Sequence, residues 1–185
     1  MKLALIGQAG AGRTAVERII ARDYTGVRTI AFADALKTML AKVGVPYDVL
    51  HGTQEQKNTP LPDFNGASAR QLMQSLGDWG RGIHPALWIN VLLRTVREVR
   101  ADVWVVTDCR YQNEAEALRR EGFKLIRILR PVDPRGSDNH ATRFHSSETD
   151  QLGIDADYTI VNDGSLEDLR TRVRNILMQV DADVF

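Results

Sequence analysis

The sequence predicts an α/β fold, with a mostly parallel sheet of five strands and helices on both faces, in one domain of 185 residues. Three observations predict it. Short apolar runs alternate along the chain with longer segments of helical periodicity. The run 103–107 (Val-Trp-Val-Val-Thr) is almost wholly apolar, as a strand buried on both faces of a parallel sheet must be. The first run, 2–6, breaks at once into a glycine-rich turn that opens a helix.

The elements follow in order. After the strand 2–6, residues 13–23 read as a helix with Val16, Ile19 and Ile20 on one side. The second strand is 27–31. Asp34 can cap the helix behind it, whose stripe is Leu36, Met39, Leu40 and Val43. Residues 44–66 hold three prolines and few apolar positions, so they read as a loop or an insert. A helix over 68–79 opens on a Ser68 cap. Another, over 85–99, carries Trp88, Val91, Leu92, Thr95, Val96 and Val99 on one side. The strand 103–107 comes next, then a helix over 113–120 that Gly122 ends, and a strand over 124–129. Residues 131–147 are polar and cationic and read as a mobile loop. The last strand is 158–161, followed by a helix that Ser165 caps, with Leu166, Leu169, Val173, Ile176, Leu177 and Val180 in register.

Composition excludes several classes of function. Apolar residues make up 43% and charged residues 26%, which argues against disorder. Lys plus Arg equals Asp plus Glu at 24 each, so there is no broad basic footprint for nucleic acid, and an anion site must be built locally. The single cysteine, Cys109, allows no internal disulfide and fits a reducing, cytoplasmic compartment. No apolar run approaches a membrane span.

Ligands of parallel sheets gather beyond the carboxyl ends of the strands. That rule puts residues 7–14, Asp34, Asp108 to Arg110, Arg130, and Asn162 to Ser165 along one edge. The segment Gly7-Gln8-Ala9-Gly10-Ala11-Gly12-Arg13-Thr14 has the spacing of a phosphate-binding P-loop, with Arg13 where lysine is usual. Gly7, Gly10, Ala11 and Gly12 let the backbone curl its N–H groups toward one anion, and the helix N-terminus adds partial positive charge. Thr14 offers a hydroxyl to Mg²⁺. Arginine brings a planar fork in place of a compact charge, yet still binds two phosphate oxygens. Asp108 ends an apolar strand where P-loop enzymes place a carboxylate for Mg²⁺, and Arg110 is two residues on. The plain alternatives are a strand-to-helix turn, and an Asp108 that caps a helix and pairs with Arg110.

Arg70-Gln71-Leu72-Met73-Gln74-Ser75-Leu76-Gly77, Trp88-Ile89, and Asp108-Cys109-Arg110 with Asn113-Glu114 form one set of motifs. Arg130-Pro131, Ser137-Asp138-Asn139-His140, Ser147-Glu148 and the stretch Thr159-Ile160-Val161-Asn162-Asp163-Gly164-Ser165-Leu166-Glu167 form another. Together they resemble the bacteriophage deoxynucleoside monophosphate kinase family over nearly the whole chain, least so over 45–66. The resemblance implies a three-layer P-loop NTPase fold of the nucleoside monophosphate kinase type, with a helical substrate-binding portion over 34–90 and a lid over 130–148. It implies the reaction of ATP and a dNMP to give ADP and dNDP, with Mg²⁺, in a host cytoplasm. Arg70 would bind the acceptor phosphate, and Asn162, Gly164 and Ser165 would lie near the adenine of ATP. The family pattern has lysine in the P-loop, so Arg13 is a departure.

On this reading Arg13, Arg70, Asp108, Arg110 and Arg130 are the catalytic candidates. Thr14 and Asp108 serve the metal, and Asp34, Lys37, Arg70 and Trp88 face the acceptor. Each has a plainer reading: Asp34 as a helix cap, Lys37 as a surface charge, Arg70 as a solvated helix residue, and Arg130, Arg135 and Arg143 as a solvated loop face. Trp79, Trp88 and Trp104 suit core packing better than base stacking. Phe64 and Tyr47 stay open as base stackers. His140 and His145 lie near Glu148, but no cysteine or third histidine completes a metal site. The expected partners are ATP and a dNMP, with no nucleic acid and no membrane; a homodimer stays open. A kinase related to those acting on dephospho-coenzyme A, and a nucleotide-binding module without catalysis, are the other readings.

Overall fold

The computed structural model describes residues 1–131 and 150–183. These divide into two compact units, Met1–Ile30 with Val96–Phe185, and Ala31–Thr95.

The first unit is built on β1 (Lys2–Ile6), β2 (Val27–Ile30), β3 (Val103–Val106), β4 (Lys124–Leu129) and β5 (Tyr158–Val161). They form one sheet in the order β2-β3-β1-β4-β5, with every pair parallel. Register is set by pairs such as Leu3 with Val105 and Lys124, and Ile128 with Ile160. Leu3 to Ile6 are all fully buried, so β1 is covered on both faces. One face packs on α1 (Arg13–Asp23) through Val16, Ile19 and Ile20, and on α8 (Leu166–Ala182) through Leu169, Val173, Leu177 and Val180. Against them lie Leu3, Leu5, Val103, Val105, Ile126 and Ile128. Between β3 and β4 runs α7 (Gln112–Arg120), which lies by β4 and buries Ala115 and Leu118. This is the expected three-layer fold.

The chain leaves β1 toward the β2 side and leaves β4 toward the β5 side, so the order of connections reverses between β1 and β4. That reversal opens the crevice in which parallel sheets bind ligands.

The second unit is helical: α2 (Phe32–Lys42), α3 (Tyr47–His51), α4 (Gln54–Asn58), a 3-10 turn (Pro62–Phe64), α5 (Ala69–Ile83) and the first part of α6 (Leu87–Glu98). Its core is Leu40, Val45, Leu50 and Ala69, flanked by Leu61, Phe64, Leu72 and Leu76. Residues 44–66 are therefore not a plain loop. The capping pair Thr53 and Gln56 starts α4, with the Thr53 N–H donating to Gln56 Oε1 at 2.7 Å.

Two stripes shift from expectation. Met39 on α2 and Val43 at its C-cap are exposed, and α6 buries Ile89 and Leu93 with Trp88, Leu92 and Val96, leaving Val91 and Thr95 exposed. Trp88 and Trp104 are core residues, whereas Trp79 is more than half exposed. Among the described residues no helix is long and apolar enough to cross a membrane.

Candidate active site

The turn after β1 is held in shape from both sides. Ala11 N–H donates to the Gln8 carbonyl at 3.1 Å, and Gly10 and Gly12 take φ of +83° and +110°, where side chains are strained. A Cβ on Gly7 would meet the Ile128 carbonyl of β4 at 2.8 Å, and one on Gly12 would meet Asn162 Nδ2 at 2.4 Å. That Nδ2 donates to the Ala11 carbonyl at 2.9 Å. Ala11 itself is buried.

The start of α1 differs from those of α2, α5, α7 and α8. In α2, α5, α7 and α8 a side chain three residues into the helix returns to the cap residue's N–H. Asp34 takes that of Ala31 at 2.8 Å, Gln71 that of Ser68 at 2.9 Å, Glu114 that of Tyr111 at 3.1 Å, and Asp168 that of Ser165 at 2.9 Å. In α1 the cap is Gly12, no side chain caps it, the third position is Ala15, and the first turn holds no acid. The N–H groups of its first turn and the positive end of its dipole are therefore capped by no side chain and by no acid of that turn. Arg13 is half-buried and Thr14 is exposed; the Thr14 hydroxyl has no hydrogen-bond partner among the described residues.

Next to β1, β3 leads into Asp108, Cys109 and Arg110. Asp108 and Arg110 are half-buried. Glu114, buried on α7, accepts from the N–H groups of Arg110 at 2.9 Å and Tyr111 at 3.1 Å through one oxygen, and so fixes the turn that carries Arg110. Cys109 is fully buried. Burial pushes its thiol well up, as do the charges of Glu114 and Asp108; those of Arg119 and Arg13 oppose them. Arg13, Asp108 and Glu114 thus act on one common atom.

At the ends of the other strands, Arg130 is exposed after β4, and Asn162 follows β5. Asn162 reaches the P-loop. Ser165 caps α8 at the Asp168 N–H (3.2 Å), and a Cβ on Gly164 would meet Asp168 Oδ2 at 2.7 Å, so those two have an evident capping role. The expected lid lies outside the described residues beyond Pro131, and with it Arg135, His140, Arg143, His145, Ser147 and Glu148.

Asp34, Lys37, Arg70 and Trp88 belong to the helical unit. Asp34 divides its oxygens, with Oδ2 capping α2 from inside and Oδ1 accepting from Lys37 Nζ at 3.3 Å. Arg70, on the first turn of α5, donates from Nε to Asn58 Oδ1 at 2.7 Å and from Nη2 to Gln54 Oε1. Trp88 is buried: its Nε1–H donates to the Gly77 carbonyl at 3.0 Å, and its ring fills the space where a Cβ on Gly80 would stand. The indole is closed in by α5, so Trp88 packs as a core residue instead of facing an acceptor.

A profile of the deoxynucleotide monophosphate kinase family matches residues 49–173, well over half of the chain. The chain belongs to that family. The deoxynucleotide monophosphate kinase homologue of Acanthamoeba polyphaga mimivirus is 30% identical over 186 residues, covering 92% of this chain and 93% of that protein. The deoxynucleotide monophosphate kinases of Enterobacteria phage T4 and Escherichia phage RB69 are 34% and 31% identical over 60% of this chain, and the matched part spans 45% of each of them. Membership bears out the resemblance and the kinase reading. In fold, the chain is similar to a dephospho-CoA kinase from Campylobacter jejuni (TM-score 0.52, 15% identity, covering 100% of both chains). It is also similar to a shikimate kinase from Aquifex aeolicus (TM-score 0.50, 16% identity, covering 100% of this chain and 98% of that one).

Two charged residues of this kinase family member were missed in the sequence. Lys57 is half-buried, and burial with the neighbouring Lys37 and Arg70 lowers its pKa. His51 stacks on Tyr47 with ring centroids 4.2 Å apart; burial and then Lys37 push its pKa down, Asp34 pushes it up, and Lys57 pushes it down. Both lie in residues 44–66, and the Thr53/Gln56 capping signature was the signal that this segment is structured.

Proposed function

We propose that this enzyme transfers the γ-phosphoryl group of ATP to a deoxynucleoside monophosphate. An oxygen of the acceptor's phosphate bonds to the γ-phosphorus, the bond to the β–γ bridging oxygen breaks, and ADP leaves with that electron pair. Such transfers ask a protein mainly to align two anions and neutralise their charge.

The bare N-terminus of α1, behind a turn held by Asn162, carries the donor half of this reading. The starts of α2, α5, α7 and α8 use a side chain to satisfy the cap residue's N–H, whereas α1, which follows the glycine-rich turn, has no such side chain and can take an external anion there. The backbone from Gly7 to Thr14 and the Arg13 guanidinium hold the donor phosphates. Arg110 and Arg130 supply charge to the transferred group. The Thr14 hydroxyl and the Asp108 carboxylate are the hard oxygen donors that suit Mg²⁺, and the bound ion would neutralise phosphate charge there. Arg70 takes the acceptor phosphate, its guanidinium oriented by Asn58 and Gln54.

The test is a turnover panel of four dNMPs and four NMPs with ATP and Mg²⁺, read as ADP release and nucleoside diphosphate formation. Turnover of at least one dNMP is expected. Phosphorylation of dephospho-coenzyme A with no dNMP turned over, or ATP binding with no turnover at all, would overturn the proposal.

A further inference from the structure

We propose that Lys57 is a second phosphate-binding residue of the acceptor site, holding with Arg70 the monophosphate of the incoming nucleotide. The inference rests on the acceptor reading of Arg70 and adds to it a residue that no sequence motif marks.

The geometry starts from α4. Its first and last residues, Gln54 and Asn58, accept the two hydrogen bonds that orient the Arg70 guanidinium. Lys57 is on that same helix, one residue before Asn58. The five-residue helix therefore aims one cation and carries the other. It is not an isolated feature: α4 packs on α5, which bears Arg70, and on α3, which bears His51.

Charge gives the second argument. Lys37 and Arg70 both act on Lys57, and Lys37 and Lys57 both act on His51. Asp34 acts on His51 as well, but its oxygens serve the Ala31 N–H and Lys37. Lys57 has no hydrogen bond and no ion pair among the described residues, and every recorded influence on it opposes its charge. A lysine whose only role is structural either extends into water or meets a carboxylate. Lys57 is half-buried beside two other cations and does neither. Placing an ammonium there has a cost that an arriving anion removes.

The ligand chemistry follows from the residue types. A planar guanidinium takes two phosphate oxygens as a fork, and an ammonium adds a compact charge at the third. A phosphomonoester dianion satisfies both. A phosphodiester, with one charge and two unesterified oxygens, matches the pair less well.

The experiment compares the intact enzyme with Lys57→Gln and Lys57→Arg. Calorimetry would measure the Kd of a dNMP that the enzyme turns over and of the matching deoxynucleoside, which lacks the phosphate. Lys57→Gln should weaken dNMP binding about tenfold to a hundredfold, the usual worth of a hydrogen bond to a charged group. Deoxynucleoside binding and the KM for ATP should stay within about twofold of wild type, inside the scatter of surface substitutions. Lys57→Arg should recover most of the loss. In the unmodified enzyme, the dNMP should protect Lys57 from reductive methylation and the deoxynucleoside should not, a readout that needs no variant to fold. Equal losses for dNMP and deoxynucleoside, no loss, or methylation of Lys57 unchanged by dNMP would each overturn the role of Lys57. Wild-type enzyme that turns over no dNMP would instead overturn the acceptor reading itself.

Discussion

Asn162 donates from its side-chain amide to the carbonyl of Ala11 at 2.9 Å, tying the end of β5 to the turn after β1 across 151 residues of chain. The bond closes a loop whose backbone glycine adopts without strain and other residues do not, since Gly10 and Gly12 both lie in the left-handed region. Asn162→Ala removes one half-buried hydrogen bond, at about 1 kcal/mol of stability. Gly12→Ala should cost more, about 1–3 kcal/mol, because the new Cβ is strained at that φ and collides with Asn162. Both should raise the KM for ATP and leave that of the acceptor near wild type. Urea titrations and steady-state kinetics check this; an unaltered KM for ATP in both would detach Asn162 from the donor site.

Arg13 stands where the P-loop spacing usually carries lysine, and puts a planar fork there. Removing its charge with Arg13→Ala should lower kcat by about 10²–10³-fold, the typical loss of one preorganised donor at a transferring group. Arg13→Lys should retain activity within about tenfold, since charge stays while fork geometry is lost. Unchanged kinetics in Arg13→Ala would show that the loop backbone alone holds the donor.

Much of this was legible before any coordinates. β1, β4, β5 and α1 fall on the residues expected, because each is bounded by a glycine, a proline or a capping serine and has an unmixed period. The P-loop was legible for the same reason. The unit carrying Arg70 was harder to read. Lys57 and His51 gain meaning only from neighbours brought in by α2 and α5, and a half-buried lysine is indistinguishable in sequence from a solvated one. Trp88 misled in the opposite direction: its motif suggested an acceptor contact, while Gly77 and Gly80, three residues apart on α5, make the slot that buries it. Met39 and Val43 fit the α2 period yet lie exposed, since a stripe shows where apolar residues cluster and not how wide the covering surface is.

Cys109 sits fully buried between Asp108 and Arg110, and its thiol is held well above the usual range by burial and by Glu114. A thiol reagent attacks the thiolate. Native enzyme at mildly alkaline pH should therefore react with 5,5′-dithiobis(2-nitrobenzoate) only at the rate at which the fold opens. In urea one thiol per chain should react at once. Fast labelling of the native enzyme would contradict the packing around Cys109.

Arg70 should be separable from the donor site by kinetics. Arg70→Ala should raise the KM for the acceptor by about tenfold or more, the worth of a charged hydrogen bond, with a far smaller change in the KM for ATP. Arg70→Lys should recover little, because Asn58 and Gln54 orient a guanidinium and a lysine cannot meet both while facing a phosphate. Equal effects on both KM values would move Arg70 out of the acceptor site.

His51 reports the charge around Lys57. Burial and the Lys37 ammonium hold its pKa below the ordinary histidine value, and Asp34 works against them. In the native state the ring resists protonation, whereas in the unfolded chain it titrates normally. Its contribution to stability is therefore present above the unfolded-state pKa and declines as pH falls through it. The ring is exposed, so that contribution is small, and the useful measurement is the titration itself, followed by the imidazole carbon-bound protons in NMR. Lys37→Met should move the midpoint up toward the ordinary value, and Asp34→Asn should move it further down. Saturation with a dNMP should raise the midpoint as a phosphate dianion enters among Lys37, Lys57 and Arg70, and the matching deoxynucleoside should leave it in place. A midpoint unmoved by the dNMP would place the acceptor's phosphate away from His51.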